Sequence, residues 1–158
     1  MKKGVLTVLS TVIGVAAGVV GAKMNAKKKI TEVREYSNKH LALFLLMNQW
    51  VKVKQTGKDI PAYLIKQGYK KIAIYGMNYV GQTLYDELKD SEVTVAYAID
   101  KNADKTFVPV DILLPDDNLP EVDAIIITAI TFFEEIERLL IQKTKADILS
   151  MEDILYEV

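Results

Sequence analysis

Residues Lys71–Asp100 read KIAIYGMNYVGQTLYDELKDSEVTVAYAID. The run Ile72–Tyr75 is apolar and short enough for a strand, and a turn flanked by Gly76 and Gly81 follows it. Val80–Lys89 then has helical spacing with Leu84 and Leu88 inward, and Val93–Ile99 is a second strand that ends on Asp100. Strand, glycine turn, helix, strand and acid is the order of a βαβ unit that receives a dinucleotide. Glycines at such a turn let the backbone approach a pyrophosphate, while the helix N-terminus supplies free N–H donors. In the Gly-x-Gly-x-x-Gly pattern the three positions are Gly76, Asn78 and Gly81, so the phosphate-facing glycine is replaced. Asn tolerates left-handed backbone, which would keep the turn's shape. Its side chain still fills space that a diphosphate needs. The expected ligand-contacting set is Gly76, Met77, Asn78, Tyr79, Val80, Gly81 and Asp100, the last through ribose hydroxyls. The competing reading makes the glycines shape a strand–helix turn and Asp100 cap the next loop.

Outward from this unit the pattern repeats. Ala124–Ile130 (AIIITAI) is a third strand and Asp147–Leu149 a short fourth, with a helix over Thr131–Lys143 between them carrying Phe133, Ile136, Leu139 and Leu140. Continuous apolar runs fit strands buried on both faces of a parallel sheet. Lys101–Asp123 holds three prolines and is expected to be loop, with one short strand near Val108–Val110. Asp59 and Pro61 open a short helix, Ile60–Gln67, that Gly68 stops, and EDILYEV begins a terminal helix.

Ahead of this domain, Thr31–Gln55 places Val33, Tyr36, His40, Leu43, Met47 and Trp50 three and four apart on one helical seam, widened by Leu41, Phe44, Leu45 and Val51. The seam reads either as a helix packing on its own domain or as a stalk that binds a partner. Gly4–Ala22 runs nineteen positions without a charge, enough to cross a ~30 Å bilayer core at ~1.5 Å per residue. Lys23, Lys27, Lys28 and Lys29 follow it, which favours a retained anchor with a cytoplasmic C-terminal side over a cleaved signal peptide. Ser10, Gly14, Gly18 and Ala22, four apart, offer a stripe for homodimer formation through the transmembrane helix, or are ordinary anchor composition.

The domain division expected is therefore 1–24 anchor, 25–58 helical stalk and 59–158 α/β domain. Net charge of −1 conceals an asymmetry. Residues 1–80 hold 14 Lys/Arg against 3 Asp/Glu (+11), and residues 81–158 hold 6 against 18 (−12). The basic half suits anionic headgroups, and the acidic half argues against nucleic acid as partner.

No catalytic set is found. With no cysteine and one histidine, His40, a zinc site has no ligand set. Tyr85 and Lys89 form a Tyr-x-x-x-Lys pair but sit on the first helix, where they read as surface residues. Asp116, Asp117, Glu134 and Glu135 read as solvated charges, the glutamates complementing a helix N-terminus.

The segments KKIAIYGMNYVGQTLYDEL (70–88), VAYAIDKNADK (95–105) and VDAIIITAI (122–130) carry a resemblance. From about Tyr69 to Ser150 the chain resembles the Rossmann-like nucleotide-binding module of bacterial polysaccharide-biosynthesis proteins, as in the N-terminal domains of nucleotide-sugar dehydratases, membrane sugar-phosphate transferases and sugar acetyltransferases. That resemblance implies a small Rossmann-like parallel sheet of four to five strands flanked by helices. It implies phosphate at Gly76–Gly81, ribose at Asp100, and Thr128 near a cofactor such as NAD or a UDP-sugar. The function expected is a membrane-anchored cytoplasmic accessory protein beside polysaccharide-synthesis enzymes. Two alternatives stand: a minimal NAD- or nucleotide-sugar-dependent oxidoreductase completed by a partner, and a protein-interaction module with a degenerate site.

Overall fold

The computed structural model describes the backbone of residues 2–102 and 109–158, with side chains from residue 26 onward. Five strands form one parallel sheet: β1 (Lys71–Tyr75), β2 (Thr94–Ile99), β3 (Ile112–Leu113), β4 (Ala124–Ile127) and β5 (Asp147–Ser150), in the order β3-β2-β1-β4-β5. The chain winds outward from β1 in one direction and then from β4 in the other. A crevice opens beyond the strands' C-terminal ends where that direction reverses, between β1 and β4.

The helices are α1 (Lys2–Gln55), α2 (Ile60–Gln67), α3 (Tyr79–Leu88), α4 (Phe133–Leu140) and α5 (Met151–Glu157). The chain divides into two units, Met1–Ala42 and Leu43–Val158. The second holds the sheet, and the last turns of α1 belong to it. Among the described residues no helix is long and apolar enough to cross a membrane. The Gly4–Ala22 anchor expected from sequence lies within the backbone of α1, but its side chains are outside the described residues.

The pleat sends alternate residues to opposite faces, and both faces are apolar. Ile72, Ile74, Ala124 and Ile126 pack on one side with Leu46, Trp50 and Val53 of α1, Ile60 and Leu64 of α2, Leu84 and Leu88 of α3, and Met151, Ile154 and Leu155 of α5. Ala73, Tyr75, Ile125 and Ile127 pack on the other with Ile136 and Leu140 of α4. Burial on both faces accounts for the unalternating runs seen in the sequence. Glu87 locks the crowded side. Its carboxylate accepts from Trp50 Nε1 (2.8 Å), Lys54 Nζ (2.9 Å) and the N–H of Ile60 (3.1 Å), tying α1 and α2 to α3.

Several expectations need correction. β4 stops at Ile127 instead of Ile130, because Thr128 and Ala129 turn the chain into a 3-10 turn (Ile130–Phe132) that precedes α4. Helix α4 is accordingly shorter than Thr131–Lys143, and Leu139 is 51% exposed while Ile136 and Leu140 face the sheet. The short strand expected at Val108–Val110 is at Ile112–Leu113, where Ala98 and Asp100 of the β2 edge donate to Asp111 and Leu113 carbonyls; Val108 itself lies outside the described residues. The helical seam also divides. Trp50 is buried and Leu43 and Met47 half-buried, whereas Val33, Tyr36 and His40 are exposed. Helix α2 has the expected bounds, with Asp59 Oδ1 accepting from Ala62 N–H (2.7 Å) and Gly68 at φ +94° ending it.

Candidate functional site

The turn from β1 to α3 owes its shape to two glycines with different duties. Gly76 has φ +92°, a region that L side chains rarely adopt, and a Cβ there would sit 3.0 Å from Thr128 Oγ1. Gly81 has ordinary helical backbone, but a Cβ on it would lie 2.1 Å from the Gly76 carbonyl oxygen. The first glycine makes the turn and the second lets the helix pass against it. Thr128, fully buried, donates its hydroxyl toward the carbonyls of Tyr75 (3.1 Å) and Gly76, so the end of β4 holds the turn from beneath.

Asn78 is not left-handed. It lies at φ −72° and ψ −169°, and no described residue other than glycine has positive φ. Asn78 is instead the N-cap of α3, its Oδ1 accepting from the N–H groups of Val80 (2.8 Å) and Gly81 (3.3 Å). Asparagine is among the best residues for that duty, and the cap takes donors that the fingerprint reserves for phosphate. Asp100 behaves similarly. Its Oδ2 accepts from Met77 N–H (2.8 Å) and its Oδ1 from Asn102 N–H (2.8 Å), which stitches the turn to the loop after β2. The Gly76 N–H is spent on the Ile99 carbonyl (2.8 Å).

Above the C-terminal ends of β1, β2 and β4 is a cavity of about 280 Å3 whose walls include Tyr75, Gly76, Asn78, Asp100, Phe132 and Glu135. Three of the sequence-expected residues, Gly76, Asn78 and Asp100, line it. Met77 and Val80 are turned into the core instead, at 3% and 1% exposure, and Thr128 is buried beneath the turn. Gly81 packs against Gly76, and Tyr79 stands in solvent at 85% exposure. Tyr75, Phe132 and Glu135 escaped the sequence reading. Tyr75 had a readable signal, since the last residue of a strand before such a turn faces the crevice; the 3-10 turn bearing Phe132 had none. Burial raises the Tyr75 hydroxyl's pKa above its ordinary value, with the carboxylates of Asp100, Glu135 and Asp116 adding to the effect. The phenol therefore stays protonated and available as a donor at neutral pH.

A larger hollow of about 520 Å3 lies beside the N-terminal ends of α4 and α5, walled by Glu134, Glu135, Glu152 and Asp153 with Arg138. Arg138 Nε is engaged with the Glu134 carbonyl (2.9 Å). That hollow has neither a glycine turn nor a strand end aimed into it, so the smaller cavity at the crevice is the better candidate despite its size. Among the described residues no group of His, Cys, Asp or Glu is arranged to hold a metal ion. Lys89 pairs with Asp86 (2.9 Å), and Tyr85 is half-buried against the core, so the Tyr-x-x-x-Lys pair is spent on packing and a surface ion pair. His40 stacks edge-on against Tyr36 at 4.2 Å between ring centres, on α1.

Residues 68–148 match the family model described as C2185-like, N-terminal. The match covers the sheet from β1 into β5, and the chain belongs to that family. No curated protein and no solved structure matches it.

Proposed function

We propose that this member of the C2185-like N-terminal family is a non-catalytic, membrane-anchored accessory protein whose crevice takes a nucleotide or nucleotide-sugar, held cytoplasmically beside envelope polysaccharide synthesis. The sheet order is that of the doubly wound Rossmann-like folds, and in these the ligand sits at the strand-order reversal. The observation that carries the reading is the cavity there, bounded by the Gly76 turn on one side and the Asp100 carboxylate on the other. Its volume, about 280 Å3, is at the bottom of the ~300–1,000 Å3 range of small-molecule sites. That suits one nucleoside moiety better than a whole dinucleotide, with the sugar or second phosphate outside. The membrane part rests on the uncharged Gly4–Ala22 run and its trailing lysines. The polysaccharide setting rests on the resemblance described above.

A second reading, a protein-interaction module with a silent site, is favoured by one observation. Asn78 and Asp100 already occupy the N–H donors of Met77, Val80 and Gly81.

Calorimetric titration of the full chain in detergent micelles with NAD, UMP and a UDP-sugar separates the two. The nucleotide reading expects saturable heat, stronger for the mononucleotide or UDP-sugar than for NAD, and lost in Asp100→Asn with the fold retained by circular dichroism. Absence of heat for all three at millimolar concentration leaves the interaction module. Topology is checked independently by carbonate extraction and by a reporter fused after Val158. A soluble form beginning near Lys23 would mean that the N-terminal run is a signal peptide.

A further inference from the structure

Two tyrosines are buried on the α4 side of the sheet, and they differ in what their hydroxyls do. Tyr97 is 2% exposed and donates to the Pro120 carbonyl (2.8 Å). Tyr75, which ends β1, is 6% exposed, and its hydroxyl has no hydrogen-bond partner among the described residues. Even the more exposed Tyr63 and Tyr69 donate to carboxylates, those of Glu157 and Asp147. Buried polar groups are nearly always paired, so an idle donor on a buried side chain calls for a reason. Among the described residues every fully buried side-chain donor or acceptor has a partner. The Tyr75 hydroxyl therefore keeps accessible surface, and the open space that this side chain borders is the crevice cavity.

The surroundings of that hydroxyl decide what can meet it. The cavity is lined by the carboxylates of Asp100 and Glu135 and by one cation, Lys101. The Asp116 carboxylate also acts on Tyr75. The turn's N–H groups at Gly76, Met77, Val80 and Gly81 are already taken up by Ile99, Asp100 and Asn78. An anion inside the cavity would thus meet a surplus of negative charge without the turn donors to offset it. A neutral group rich in hydroxyl, carbonyl or N–H functions fits instead. It offers an acceptor to Tyr75 and hydrogens to the two carboxylates. We infer that Tyr75 is a ligand-binding residue whose hydroxyl donates to an uncharged acceptor, and that the cavity holds the neutral base-and-ribose end of a nucleoside with any phosphate directed outward. This deepens the nucleotide reading and rests on it.

Calorimetric titration of the full chain in detergent micelles with uridine, UMP and inorganic phosphate tests the inference. Uridine and UMP are expected to bind with closely similar affinity, and phosphate neither to give heat nor to displace uridine. Tyr75→Phe keeps the ring and removes only the donor, and it is expected to weaken uridine and UMP alike by about fivefold. In urea unfolding, Tyr75→Phe should keep or raise the wild-type midpoint, because no protein bond is lost, whereas Tyr97→Phe should lower it. Four results overturn the inference while the nucleotide reading stands. They are UMP binding that Tyr75→Phe leaves unchanged, displacement of uridine by phosphate, failure of uridine where UMP or a UDP-sugar binds, and a lowered midpoint for Tyr75→Phe, which would mean that the hydroxyl already has a partner within the protein. No heat from uridine, UMP or a UDP-sugar overturns both.

Discussion

The two faces of the sheet are covered unequally. One lies under the C-terminal turns of α1 and under α2, α3 and α5, with the Glu87 carboxylate of α3 bonded to α1 and α2. The other lies under α4 and the segment around Val122, where Tyr97 donates to the Pro120 carbonyl (2.8 Å). The thick face is a packed interior. The thin face is where the cavity opens, lined by Tyr75 from the strand and by Phe132, Glu135 and Ile136 from the cover. A thick cover excludes solvent and resists substitution, whereas a single short helix leaves a rim that a ligand can enter.

That contrast is open to measurement. Leu84→Ala on the thick face empties a site with 0% exposure and is expected to cost about 3–4 kcal/mol in urea unfolding. Leu140→Ala on the thin face, where α4 has solvent behind it, is expected to cost about 2 kcal/mol because the short helix can settle into the gap. Equal losses would mean that the faces are equally well packed. Next in size is Glu87→Ala. It strands the Trp50 indole N–H and the Ile60 N–H, and about 1–3 kcal/mol is expected from unpaired donors. Glu87→Gln keeps an acceptor and should recover part of that loss. If both variants cost the same, the carboxylate's charge and not its hydrogen bonding ties the helices together.

Strand and helix order were legible because the apolar runs are long and the breakers are unambiguous: Asp59, Pro61 and Gly68 bracket α2 to the residue. The thin side was less legible. Ala124–Ile130 is uniformly apolar, and nothing in its composition signals that Thr128 leaves the strand to bond the carbonyls at Tyr75 and Gly76. The 3-10 turn, and with it Phe132 on the cavity wall, was hidden for the same reason. The α1 seam was open between two readings because the helix is apolar on two sides from Leu41 onward, and periodicity cannot say which side meets the sheet; only Leu43, Met47 and Trp50 of it pack there. At the candidate site the residues were found but their duties were not. Asn78 was weighed as an altered phosphate glycine, although an Asn directly before a helical run is an N-cap signal.

Smaller effects are expected at the sheet's other end, where pH is the probe. Asp123 Oδ2 accepts from the N–H groups of Lys70 (2.9 Å) and Lys71 (2.8 Å), which hold its carboxyl below the ordinary range. A depressed pKa contributes stability that is present above the unfolded carboxylate value, ~3.9, and is lost as pH falls through the folded one. Tyr69 behaves oppositely. Burial, and then its bond to Asp147 (2.8 Å), push its hydroxyl up to about 12. Its contribution is intact below the unfolded value near 10 and is lost between there and about 12. Asp123→Asn should flatten the acid limb of a stability-versus-pH curve and Tyr69→Phe the alkaline limb, each leaving the other limb unchanged. Both groups sit near the N-terminal strand ends, away from the cavity, so neither change should alter ligand heat.

The smallest expected effect on stability is the most informative for the site. Asn78 caps α3 through its side-chain oxygen. Replacing a good N-cap by Ala costs ~1 kcal/mol, whereas Gly costs only a few tenths because its flexible backbone leaves the N–H groups open to water. Asn78→Gly is therefore expected to fold almost as well as wild type while releasing the Val80 and Gly81 donors toward the crevice. If the crevice binds a phosphate-bearing ligand that the Asn78 cap now obstructs, the glycine variant should bind UMP or a UDP-sugar more tightly than wild type, and Asn78→Ala should gain less for a larger loss of stability. The freed N–H groups, at the positive end of a helix, are what make that gain. Should Asn78→Gly fold normally and bind no better, the cap was never what limited phosphate. The ligand reading would then rest on Asp100 and Tyr75 alone, and a neutral nucleoside would be the ligand class to pursue.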